Sequence, residues 1–147
     1  KEIIKSNNIS ARLSIGPAVG HIFLDNPKDM ALAKTVLQAN NSLSVWAKSN
    51  LPPEYNMLHD NRTGDIIVTT IVPNMLVSRK SSNPPKGMHG YDPANNKEME
   101  GIFFAMGGNV SKAEISKVHQ LDIAPTILNL LNVKIPEYMS GKVIDLN

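Results

Sequence analysis

Asp65-Ile66-Ile67-Val68-Thr69-Thr70-Ile71-Val72 is the stretch on which the fold turns. It is nearly all apolar and β-branched, and such side chains sit well on an extended, pleated backbone. Polar residues do not alternate through it, so it reads as a strand covered on both faces. Pro73 interrupts it, and Leu76-Val77 reads as a short resumption. Upstream, Ala11–Ile15 and Val19–Leu24 are two further apolar runs parted by Gly16-Pro17, a turn signal. Asp25 or Asn26 is placed to cap a helix with Pro27 at its first position. Leu32, Val36, Ala39 and Leu43 then recur at helical spacing. Asn40-Asn41 ends that helix, Leu43–Ala47 reads as a strand, and Pro52-Pro53 breaks the pattern.

Downstream of the central run, residues 81–92 form a polar loop containing Pro84-Pro85. Gly101–Met106 reads as a second buried strand closed by Gly107-Gly108. Asp122 is placed as the N-cap of a short helix, with Pro125 tolerated in its first turn. Ile123, Ile127, Leu128 and Leu131 would make its apolar face. Strands that alternate with helices place the chain in the α/β class. The expected division is a small α+β unit over residues 1–61 and a sheet-and-helix unit over residues 62–147.

The 147 residues suffice for a domain with a real core, and 41% apolar and 19% charged residues fit a globular fold. The formal net charge of +2 leaves no nucleic-acid footprint. With no cysteine, disulfides and Cys-ligated zinc are excluded, so any metal site draws on His, Asp or Glu. No apolar run is long enough for a membrane span, and no signal-peptide pattern is present. The seven methionines are scattered and read as gap fillers.

The chemistry concentrates in Gly87-Met88-His89-Gly90-Tyr91-Asp92-Pro93. A histidine set between glycines on a loop can be aimed closely at a metal, because glycine permits tight turns and imidazole offers a nitrogen lone pair near neutral pH. His89 is therefore the candidate metal ligand. Tyr91 and Asp92 are expected to order the loop, with Asp92 forming an Asx-turn ahead of Pro93. Arg62 and Asp65 read as contacts at the start of a strand rather than as substrate contacts.

These segments, in this order, resemble the C-terminal part of the nucleotide pyrophosphatase/phosphodiesterase family of the alkaline phosphatase superfamily. Gly16-Pro17 with His21-Ile22 resembles the opening strand of a small inserted subdomain. Leu51-Pro52-Pro53-Glu54-Tyr55 and the stretch from Asn61 to Val68 resemble the return to the main sheet. The His89 loop resembles the family's metal-binding loop, and Met99–Ala105 the strand after it. Asp122-Ile123-Ala124-Pro125-Thr126 through Gly141 resembles the superfamily's terminal helix and tail, a pattern shared with phosphoglycerate mutases and sulfatase-like enzymes.

The resemblance implies an alkaline-phosphatase-like fold and a hydrolase with two zinc ions in the intact parent. A Thr or Ser nucleophile would attack phosphorus of a nucleotide or other small phosphodiester and form a phospho-enzyme. It assigns one metal ligand, His89, to this chain; the nucleophile and the remaining Asp and His ligands lie upstream in the family. His21, His59 and His119 match positions the family does not use as ligands. The chain, which opens at Lys1 rather than Met, then reads as a fragment that binds no zinc well alone and is inactive alone. Its apolar strands would lack cover, which makes a fragment dimer an expectation. Sequons at Asn8, Asn40, Asn61 and Asn109, with the family's habits, point to an extracytoplasmic location. The alternatives are another superfamily hydrolase or mutase acting on phosphomonoesters or sulfate esters, and a non-catalytic binding module.

Overall fold

Ile66 and Ile67 are completely buried at the heart of a four-stranded antiparallel sheet. In the computed structural model, which describes residues 1–78, 81–108 and 110–146, the central run forms the strand β4 (Ile66–Thr70). With β1 (Ala11–Ile15), β2 (Val19–Leu24) and β3 (Leu43–Ala47) it makes a sheet of order β1-β2-β4-β3. β4 lies between β2 and β3, so the run without polar alternation is one of the two inner strands, with β2, that are hydrogen-bonded on both edges. α1 (Glu2–Ser6) precedes the sheet in sequence, α2 (Met30–Gln38) lies between β2 and β3, and α3 (Ile123–Leu130) follows β4. The class is mixed α/β.

Contacts group the chain into two compact units, Lys1–Glu100 and Gly101–Asn147. The division expected near residue 61 is crossed by the sheet, because β4 pairs with both β2 and β3. In the first unit, α1 and α2 bury Ile4, Ala33 and Leu37 with Ile22, Ile66 and Val68 of one sheet face. Asn26 caps the approach to α2 by accepting from Lys28 N through Oδ1, and Pro27 opens a 3-10 turn. That turn, at about three residues per turn, changes the phase before the α-helix begins. The buried side is consequently Ala33 and Leu37, whereas Leu32, expected on the apolar face, is 47% exposed.

The strand ends before Ile71 and Val72, which are exposed. Leu76-Val77 does not resume it; Leu76 instead packs on the core and donates its N–H to Pro17 O at 2.7 Å. Gly64, just before β4, passes so close to β2 that a Cβ there would lie 2.7 Å from Ile22 O. The Gly64 N–H is donated to Nδ1 of His21, 3.2 Å away.

Burial lowers the pKa of His21 below its ordinary value. The unfolded chain therefore binds more protons than the fold below about pH 6.5, and stability falls as pH drops through that value, levelling off below the folded pKa. Protonating Nδ1 would also remove the acceptor for Gly64. The urea midpoint of the native chain should fall further between about pH 7.5 and pH 5 than that of His21→Gln. Equal falls would remove His21 from the pH response.

In the second unit, Gly101–Met106 forms no strand: Ile102 is 99%, Phe104 79% and Met106 83% exposed. Among the described residues no neighbouring strand pairs with this segment, and an extended backbone without a ladder partner keeps its polar groups in water. Of the expected face of α3, Ile127 and Leu131 are exposed, whereas Ile123 and Leu128 are half-buried. The buried residues are Pro125 and Thr126, held under the tail that follows the helix. Thr126 Oγ1 donates to Asp122 O at 2.6 Å and accepts from Ile144 N at 2.9 Å. Asp122 occupies the N-cap position, yet its carboxylate does not cap the helix: Oδ1 accepts from Lys142 N at 2.8 Å. The tail wins that oxygen because it runs close beside the helix start at Gly141.

Candidate functional site

The His89 loop belongs to the first unit and is pinned at its C-terminal side. Gly90 has φ +89°, a left-handed conformation that glycine adopts without strain, and its backbone passes near Ala18. Tyr91 is buried and donates its hydroxyl to Asn74 O at 2.8 Å. Asp92 Oδ1 accepts from Ala94 N at 2.9 Å, the expected Asx-turn, and its other oxygen accepts from Asn95 Nδ2 at 2.7 Å. Asn96 Nδ2 closes the turn on Asp92 O.

This turn lies within electrostatic reach of Tyr55. Burial raises the Tyr55 phenol pKa first, and the Asp92 carboxylate adds to the rise; Glu54 adds a further contribution, against a hydrogen bond with Thr69. Tyr55 in turn packs edge-on against Trp46 of β3, with ring centroids 5.4 Å apart. The loop is thus held beside the sheet by Tyr91, bonded to Asn74, and by Gly90, near Ala18, while His89 is exposed.

The other imidazoles are occupied locally. His21 Nδ1 accepts from Gly64 N, His59 Nδ1 from Asn61 N, and His119 Nδ1 from Leu121 N. Asp65 is a strand-start contact, as expected, accepting from Leu24 N at 2.8 Å, and Arg62 is exposed. Among the described residues no three His, Cys, Asp or Glu side chains gather into a group able to hold a metal ion. A single imidazole falls short of the three or four donors zinc takes, so the described residues do not by themselves fit zinc.

Three features of the two units were not legible in sequence. Asn74 serves as the anchor for Tyr91, a pairing across a loop that no local spacing signals. Gly64 and Gly141 are close-approach glycines: a Cβ at Gly141 would lie against the Leu121 carbonyl. Their isolated position beside Asp or Ser in the chain was the available hint. Of the four sequons, Asn8, Asn40 and Asn61 are exposed, and Asn109 lies outside the described residues. No described helix is long and apolar enough to cross a membrane. Comparison with protein-family models, with curated proteins and with solved structures gave no match.

Proposed function

We propose that this chain is part of a zinc-dependent phosphodiesterase or nucleotide pyrophosphatase with an alkaline-phosphatase-like fold, and that it contributes one metal ligand, His89. The observation that carries this reading is the construction of the His89 loop. A glycine with positive φ, a buried tyrosine and an Asx-turn fix the residues immediately after an exposed imidazole. Such an arrangement supports a side chain presented outward from a rigid base, which is what ligand geometry requires. The other ligands and the nucleophile are assigned to residues that precede Lys1 in the parent. The open apolar segment at Ile102–Met106 fits the same reading, as a strand awaiting sheet partners from that parent or from a second copy. The exposed sequon asparagines accord with an extracytoplasmic parent.

The reading predicts that the 147-residue chain does not hydrolyse p-nitrophenyl esters of nucleotides and does not retain stoichiometric zinc through dialysis. Release of p-nitrophenolate and metal content by atomic absorption check both. Turnover that survives removal of contaminating enzyme would refute the assignment of the nucleophile to preceding residues.

A further inference from the structure

The face of the sheet opposite Trp46 carries a feature that the phosphodiesterase reading does not use. A cavity of about 280 Å³ opens between α1, α2, the sheet and the segment after β4. Its body is made by Leu13, Ile22, Leu37, Val68 and Leu76. Gly20 of β2 also lines it, and a Cβ there would lie 3.1 Å from Val68 Cγ2 and 3.3 Å from Leu76 Cδ1, so the missing side chain is part of what keeps the space open.

The exposed lining residues include Lys1, Asn40 and Asn74. Lys1 is the only charged residue among the described lining residues, and no carboxylate opposes it there. Asn40 Oδ1 is taken by Ser42 N, which leaves its amide N–H groups as donors. The lining is therefore mixed: apolar side chains with Thr70 and Ser42 among them, and Lys1, Asn40 and Asn74 where it meets water. That polarity matches an anionic head on an aliphatic tail.

We infer that this cavity is a binding site for a free medium-chain carboxylate, its chain among Leu13, Ile22 and Val68 and its carboxylate beside Lys1. The size agrees: an apolar cavity of about 150 Å³ holds benzene, so this one has room for roughly twice that, or about ten heavy atoms. An alkyl chain seated there would restore contacts that the apolar part of the lining lacks. The site is independent of His89, and its test does not involve hydrolysis.

The experiment is titration of the 147-residue chain with octanoate and, separately, with octylamine, followed by calorimetry and by methyl NMR shifts. Saturable octanoate binding is expected with a Kd on the order of 100 μM, at least about tenfold tighter than octylamine. Shifts should fall on Leu13, Ile22, Leu37, Val68 and Leu76. Lys1→Glu, at an exposed position, should abolish the preference for the acid, and Gly20→Ala should weaken both ligands by narrowing the space. Absence of saturable binding, equal affinity for acid and amine, or shifts confined to the exposed apolar residues of 101–133 would each overturn the proposal.

Discussion

Replacing Ile66 with alanine is expected to destabilise the first unit by about 4 kcal/mol, towards the upper part of the usual range for a buried Ile. The reason lies in its position. Ile66 is 0% exposed, sits on an inner strand opposite Ile22 on one side and Ala47 on the other, and belongs to the core cluster with Ala33 and Leu37. Strands held on both edges cannot move inward to fill a void, so most of the cavity should persist. Ile71→Ala is the control: the residue has the same chemistry five positions on but is 57% exposed and lies outside β4. Its substitution should change stability by no more than about 0.5 kcal/mol. Urea unfolding followed at Trp46 would separate the two, with a shifted midpoint and an unchanged slope for Ile66→Ala. Similar effects from both would contradict the placement of β4.

Gly64→Ala should cost about 3 kcal/mol through the opposite error, too much volume. The added carbon would lie 2.7 Å from Ile22 O and 2.8 Å from Ile22 N. Both are backbone atoms of β2, and they are locked in the ladder with β4, so the strain cannot be relieved by rotating a side chain. The segment must shift, which also draws the Gly64 N–H away from His21. Gly87→Ala supplies the contrast: nothing lies within 4 Å of its Cβ position, and the change should be near neutral. Thermal unfolding of the two variants checks this, and a stable Gly64→Ala would mean that the turn before β4 does not approach β2 as described.

The local part of this fold was legible in the sequence. Gly16-Pro17 marked the turn between β1 and β2, Asn26-Pro27 marked the approach to α2, and β1, β2 and β3 occupy the residues that their composition indicated. Each of these depends on a backbone preference or on a contact only a few residues away. What failed was relational. The spacing Leu32, Val36, Ala39, Leu43 mixed a helix with the strand beyond it, and the 3-10 turn at Pro27–Asp29 set a phase that periodicity alone does not carry. Gly101–Met106 has the composition of a buried strand, but burial needs a partner, and among the described residues none pairs with it. Asp122 occupies a cap position by sequence and bonds instead to a tail twenty residues away.

The same distinction holds at the His89 loop. Its local order was readable: Asp92 ahead of Pro93 makes the Asx-turn, and Gly90 takes the left-handed conformation. Its anchoring to the segment after β4 through Tyr91 and Asn74 was not, since that bond joins residues seventeen apart. Whether His89 has fellow ligands is a question about side chains brought together in space, and the described residues supply no such group.

The central claim is that His89 is one ligand of a metal centre completed by preceding residues. The most direct measurement is zinc content and nucleotide-ester hydrolysis of the gene product extended upstream of Lys1, compared with its His89→Ala and His59→Ala variants. The account predicts that His89→Ala loses one of two zinc ions and nearly all turnover, while His59→Ala keeps both. Unchanged zinc and turnover in His89→Ala, or an extended product with no Thr or Ser nucleophile and no Asp-His-Gly sequence, would contradict it.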